Sequence, residues 1–215
     1  MSLNHIVDLA NDSGGTLYLM IILFTLALTI IIERSRHLSN MIEAGDSLLK
    51  LVKTKNNQNG QAFSEFLEKH PKLPHLNLIH AANELPINIR HDRESLDSVL
   101  EEALMHEVPK LDRSLWMLDT VITLAPLLGL FGTILGMFNA FSVLGQGQSG
   151  ALQITSGIAE ALLATASGLV VAMIGLIFFN GLNSRVRLVI HQLETLKIII
   201  LNQGDIKIQH NLKAL

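Results

Sequence analysis

The chain has 215 residues, of which 49% are hydrophobic and only 16% charged, with a formal net charge of −3 at pH 7. That balance suits a membrane-embedded protein with a modest soluble part, and the negative sign argues against nucleic acid as a partner. The absence of cysteine excludes disulfides, thiol catalysis and iron–sulfur clusters.

Three apolar segments stand out in chain order, from Thr16 to Ile32, Thr120 to Leu144 and Ile154 to Asn180. A helix needs about 20 residues to cross a hydrocarbon core of about 30 Å, so each can span a membrane, the first near the short limit. Residues 1–15 carry Asp8 and Asp12 but no Lys or Arg, and residues 145–153, which begin with the loop GQGQSG, carry no charge. All 16 Lys and Arg residues fall on the opposite flank, with Arg34 and Arg36 after the first span, Lys110 and Arg113 before the second, and Arg185 and Arg187 after the third. The positive-inside bias then predicts an outer N-terminus (1–15), span 16–32, a cytoplasmic helical domain (33–119), span 120–144, an outer loop (145–153), span 154–180 and a cytoplasmic C-terminal helix (181–215). No basic residues precede the first span and no small-residue cleavage site follows it, so it is expected to be retained rather than removed as a secretory signal.

The stretch between the first two spans has helical periodicity without strand alternation. Leu96, Val99, Leu100, Ala103 and Leu104 fall at i, i+3, i+4, i+7 and i+8, an apolar stripe with Glu101 and Glu102 beside it. Pro109 is expected to kink or interrupt this helix. The runs KTKNNQNGQ (Lys53 to Gln61) and HPKLPH (His70 to His75) read as loops. His70, His75 and His80 recur every five residues, which sets successive side chains about 140° apart on a helix, and prolines intervene, so no metal site is expected. No Ser/His/Asp set, phosphate loop or paired-carboxylate pattern supports an enzyme. After the third span, Leu182, Val186, Val189, Leu193, Leu196 and Ile200 recur with spacings of 4, 3, 4, 3 and 4, a heptad seam that predicts a helix continuing to about Gly204. Packing within one subunit and assembly around a symmetry axis both account for so short a seam.

Polar residues inside the spans are the candidates for function. Glu160 lies about six residues, or about 9 Å, into the third span. An acid at that depth usually faces a protein interior or a watery cavity and serves ion or proton movement; alternatively it reaches the outer interface or bonds a neighbour as a structural pin. Thr133 and Thr165 lie mid-span, where they would form a polar girdle if both faced a pore, or would simply bond their own helix backbone at i−4. Gly129, Gly132 and Gly136 in the second span, with Ala161, Thr165, Gly168, Ala172 and Gly175 in the third, give small faces for close helix packing within or between subunits. One acid near an outer end cannot carry a proton across about 30 Å, so conduction would need a partner to supply the central carrier.

The segments LAPLLGLFGTILGMFNAF, Leu124 to Phe141, and GIAEALLATASGLVVAMIGLIFFN, Gly157 to Asn180, closely resemble the MotA/TolQ/ExbB proton channel family, specifically its ExbB/TolQ branch. The three-span layout fits that branch better than the four-span flagellar stators. The resemblance implies an all-α membrane protein of the bacterial inner membrane, with a periplasmic N-terminus and long helices extending into the cytoplasmic helical domain. It implies a homopentameric ring whose second and third spans line a central pore. The pore would hold an ExbD- or TolR-like single-span partner whose membrane aspartate carries the proton, and a TonB- or TolA-like periplasm-spanning protein would receive the work. Carried over residue by residue, Thr133 and Thr165 match the pore-lining threonines and Glu160 the acid at the start of the third span, while Pro126 and Gly132 match positions that set helix shape and close packing. No enzymatic activity and no cofactor follow from it; protons are the cargo, and membrane lipid, including a bound phospholipid, is the remaining candidate ligand. An ExbB-like role powers uptake of iron complexes or vitamin B12, and a TolQ-like role maintains the outer membrane during division; the IAEALLAT and FFN contexts lean towards ExbB. From another class, a non-conducting scaffold would assemble through the small faces and the heptad seam alone.

Overall fold

The computed structural model describes residues 15–53, 59–86, 90, 92–145 and 151–203. The described residues form six helices, α1 (Thr16–Lys53), α2 (Asn59–Lys69), α3 (Pro74–Glu84), α4 (Arg93–Leu111), α5 (Leu115–Gly145) and α6 (Ala151–Gln203). Among them are three helical stretches long and apolar enough to cross a membrane. α1, α5 and α6 contain 38, 31 and 53 residues, about 57, 46 and 80 Å at 1.5 Å per residue. All three exceed a hydrocarbon core of about 30 Å, so part of each lies outside it in any membrane-spanning arrangement. The chain divides into two units, one of the residues up to Arg34 with Ser114–Leu182, the other of Ser35–Arg113 with the residues from Asn183 onward. α1 and α6 contribute to both.

The first unit buries small side chains and exposes large ones. Ala125 and Ala140 of α5 and Ala161 and Ala164 of α6 are buried, whereas Leu127, Phe138, Leu162 and Ile177 are at least 60% exposed. That inversion of the water-soluble pattern is expected where lipid or another chain, rather than water, meets the outer face. Pro126 lies inside α5, which continues through it; membrane helices tolerate the lost donor because neighbouring groups take up the freed backbone.

The second unit is packed with leucine in the water-soluble manner. Leu38 and Leu48 of α1, Leu78 of α3, Leu100 of α4 and Val189, Leu193 and Leu196 of α6 are fully buried. Asp92 caps α4 by accepting from the Ser95 backbone N–H at 3.3 Å, and the Ser95 hydroxyl on the same carboxylate lowers its pKa. The stripe read from the sequence faces inward, with Leu96, Leu100 and Leu104 buried and Val99 and Ala103 half-buried. α3 packs on α4, and the Asn77 amide there donates to the buried Glu107 at 2.8 Å. Lys197 of α6 bridges Asp97 at 2.8 Å and Glu101 at 2.6 Å. Burial opposes its charge, but the two carboxylates outweigh that and hold its pKa above the usual value. Arg185 fastens α6 to α1 by donating to the Ser35 carbonyl at 3.0 Å and to the hydroxyls of Ser35 and Ser39 at 2.6 and 3.0 Å.

All six residues of the heptad seam, from Leu182 to Ile200, are at most 3% exposed in a single chain. The seam is therefore filled within the subunit. Two expectations need correcting. Of the kink or interruption expected at Pro109, the interruption does not occur, since α4 runs on through it to the buried Leu111. The run from His70 to His75 is not all loop, since α3 starts at Pro74, whose fixed φ and missing N–H suit a first helical turn. The loop expected over Lys53–Gln61 falls mainly outside the described residues, although Asn59 already begins α2.

Leu193→Ala is expected to lower stability by about 2–5 kcal/mol through the cavity it leaves, whereas Ile198→Ala, at a position 56% exposed on the same helix, should change it little. Thermal unfolding of the two variants in one detergent checks this; equal midpoints would mean that the seam does not hold this unit.

Candidate functional site

Small residues decide how the membrane hairpin closes. α5 and α6 run antiparallel in the first unit, with Gly157 against Ala140, Gly136 against Ala161, Gly129 against Thr165 and Gly168 against Ala125. A methyl group added at Gly129 would stand 2.9 Å from the Ala164 carbonyl oxygen, and one at Gly136 2.8 Å from the Ala161 Cβ. At Gly168 it would collide with the Ala125 carbonyl oxygen, a backbone atom that cannot swing away. The start of α1 lies on the same seam, for a Cβ at Gly132 would meet both Ala164 Cβ and Thr16 Oγ1 at 2.9 Å, and one at Gly168 would meet Met20 Cε at 2.9 Å. The small faces thus pack within one chain, which the sequence left open.

The close approach fixes the two threonines differently. Thr165 is half-buried, and its hydroxyl crosses to the Gly129 carbonyl of α5 at 2.9 Å. Thr133 donates instead to the Leu130 carbonyl of its own helix at 2.6 Å, the local bonding that threonine offers inside any helix. Thr133 lies one turn along α5 from Gly129, about 6 Å, so the two hydroxyls sit at neighbouring levels of the hairpin. Both acceptors are carbonyls. Each hydroxyl proton is therefore committed, and what remains of each oxygen is an acceptor lone pair.

Glu160 is not joined to either threonine. It is half-buried and accepts from the Ser156 hydroxyl one turn earlier on α6 at 3.0 Å. It precedes Thr165 by five residues, about 7.5 Å along the axis and about 140° around it. Pro126 is half-buried within α5, one turn before Gly129. Ser156 was missed as a partner of Glu160, although the i, i+4 spacing of a polar pair is legible in the sequence. Thr16 and Met20 gave no signal of seam contact, because only the way α1 lies on the hairpin brings them there.

Chemically, an acceptor lone pair in apolar surroundings favours a donor opposite it, such as a water or a protonated carboxyl, over a carboxylate that has no proton to give.

Known proteins share these segments. The chain is similar to the biopolymer transport protein ExbB-like 3 of Synechocystis sp., 46% identical over 40% of this chain and 42% of that protein. It is similar to ExbB-like 1 of the same organism, 32% identical over 84% of this chain and 71% of the relative. It is also similar to the Tol-Pal system protein TolQ of Haemophilus influenzae, 40% identical over 39% of this chain and 37% of that protein. The chain thus spans less than half the length of two of these three relatives. The sequence model of one family matches residues 59–195, more than half of the chain and nearly all of the α5–α6 hairpin, and the chain belongs to the MotA/TolQ/ExbB proton channel family.

Proposed function

We propose that the chain is the ring subunit of a proton-driven motor in the bacterial inner membrane, ExbB-like in role, with an outer N-terminus, spans 16–32, 120–144 and 154–180, and segments 33–119 and 181–215 in the cytoplasm. Five copies surround the single-span helix of an ExbD-like partner, and a TonB-like protein passes the work to outer-membrane transport. The observation that carries this reading is the Thr165 hydroxyl held on the Gly129 carbonyl in the middle of an apolar hairpin, in a chain of a proton channel family.

The proton logic follows from that bond. With its own hydrogen donated to Gly129, Thr165 can only accept from a partner group. A partner aspartate in its protonated form brings a donor and satisfies the threonine; once ionised it brings a charge without a proton, and hydrocarbon surroundings disfavour it. Each proton taken up from the outer side neutralises the carboxyl and lets it pass the threonine level. Each proton released inward restores the charge and draws the carboxylate towards water. That alternation moves the partner helix in a rotary or other cyclic step. Glu160, near the outer end, supplies a carboxylate on the entry side. Its bond from Ser156 leaves further acceptor capacity for water or a proton. The arrangement uses no cofactor, and membrane phospholipid covers the outer apolar face.

A TolQ-like role in outer-membrane maintenance is the second reading, supported by the 40% identity to TolQ. A scaffold that conducts nothing is the alternative of another class, supported by the seam glycines, whose packing needs no pore.

Two substitutions test the channel against the scaffold in proteoliposomes that hold the chain with its co-expressed single-span partner, and a third tests the seam on which both depend. Thr165→Val removes the hydroxyl at nearly constant volume, so intact rings with proton flux lowered roughly five- to tenfold are expected, the equivalent of losing one net hydrogen bond of about 1–1.5 kcal/mol in the conducting state. Undiminished flux at equal ring content would favour the scaffold. Glu160→Gln should leave ring yield unchanged and lower flux, with its largest effect at low outer proton concentration; a pH profile identical to that of the native chain would remove Glu160 from the pathway. Gly168→Val is expected to abolish ring formation itself, read as loss of the assembled species on size-exclusion chromatography.

A further inference from the structure

In the second unit a histidine is buried with no use in the proposed channel. His75, on the first turn of α3, has 0% relative exposure, and neither Nδ1 nor Nε2 has a hydrogen-bond partner. The ring lies against Gly45 of α1 and Gln192 of α6. A Cβ at Gly45 of α1 would stand 2.8 Å from both Cε1 and Nε2 of His75 and 2.5 Å from Oε1 of Gln192 on α6. That Oε1 is also buried without a partner. The Gln192 amide is oriented by two donations to α1, to the Ile42 carbonyl at 3.1 Å and to Asp46 Oδ1 at 2.7 Å. Three helices therefore close on one imidazole, and glycine at position 45 is what lets them.

We propose that His75 is the bolt of a pH-operated latch, letting α1, α3 and α6 close on one another while neutral and driving them apart when it takes up a proton.

The physical case rests on donors and acceptors. A neutral ring brings one N–H, for which Gln192 Oε1 lies ready beside Gly45. An imidazolium brings two N–H groups and a full charge into a buried site where Gln192 Oε1 is the acceptor left without a partner among the described residues, and an unsatisfied charged donor in the interior is costly. The charged groups around it do not rescue it. Asp46 is the carboxylate facing it from α1, and one of its oxygens already accepts from Gln192. On α6 the neutral Gln192 takes the facing position, and His191 and Glu194 beside it are exposed. From α4, Glu107 meets α3 at Asn77 and is occupied by that amide and by Lys110 Nζ at 2.6 Å. Burial accordingly pushes the His75 pKa down from 6.5 to about 4, with the Asp46 charge and the side-chain oxygen of Gln192 opposing only in part.

The sign follows from linkage. The open state binds the proton with the ordinary pKa of about 6.5 and the closed state with about 4, so closure is fully favoured above pH 6.5. It weakens about tenfold per pH unit as the pH falls from 6.5 towards 4, and changes no further below that. The latch stands whether or not the channel reading holds, since it uses residues of the second unit alone.

Hydrogen exchange of the full chain in lipid nanodiscs tests it, between pH ~7.5 and ~5.5 with intrinsic exchange corrected for. Peptides covering residues 42–48 and 189–196 are expected to open roughly tenfold more often at pH ~5.5 than at ~7.5, and His75→Asn, which cannot charge, should lose that slope. The same slope in both proteins, or no slope in the native chain, overturns the latch. Should His75→Asn fail to fold, NMR titration of the native chain with labelled imidazoles decides between the outcomes. One ring that stays neutral to pH ~5 is expected of the latch, and nine ordinary titrations from the nine histidines would overturn it.

Discussion

Hydrocarbon gives two helices no hydrophobic reason to associate, because lipid tails are as apolar as leucine, and the membrane unit therefore depends on how closely its backbones can approach. The seam between α5 and α6 meets that constraint with glycine and alanine at every level, to the point that Gly168 leaves no room for a methyl group beside the Ala125 carbonyl. Many short contacts, each individually weak, then add up over the length of the hairpin. The polar chemistry is a consequence of the same approach. Thr165 reaches the Gly129 carbonyl only because position 129 carries no side chain to hold α6 away. An alanine there would widen the gap and break the bond together.

The second unit solves the opposite problem, since leucine burial drives its association without help and its polar groups have to be accommodated afterwards. Lys197 sits between two carboxylates, Arg185 on a carbonyl and two hydroxyls, and Glu107 between an amide and an ammonium. His75 and Gln192 are both buried with atoms unmatched, as are Asn83 Nδ2 and Arg90 Nε, but among these the imidazole is the group that takes up a proton near neutral pH. A buried titratable ring with both nitrogens unmatched is a place where one proton changes the energy of packing.

How much of this was legible in the sequence depended on periodicity. The three spans and the six-residue seam from Leu182 to Ile200 repeat a simple pattern, and burial follows the pattern at each seam position. The stripe through Leu96, Leu100 and Leu104 was legible for the same reason. The interruption expected at Pro109 does not occur, because the one hydrogen bond that proline removes falls in the last turn of α4 and leaves the turns before it intact. The partner of Thr165 was illegible in principle. It depends on which glycine faces which residue across the hairpin, a register that no single helix encodes. The burial of His75 was hidden likewise, for one histidine between prolines has no period, and the glycine and glutamine that enclose it come from far along the chain.

The same seam also restricts how copies of the chain can meet. Gly129, Gly132, Gly136 and Gly168 are already occupied by Ala161, Ala164, Thr165, Ala125 and the start of α1, so the small faces are not free to join one subunit to the next. What a neighbour would find on α5 and α6 instead is Leu127, Phe131, Ile134, Phe138, Leu162 and Ile177, each at least half exposed. Large side chains hold helix axes further apart than glycine does. A ring built from these chains would accordingly combine tight hairpins with looser joints between them, so that any movement between copies would fall at the joints while the Thr165–Gly129 bond inside each hairpin stays intact.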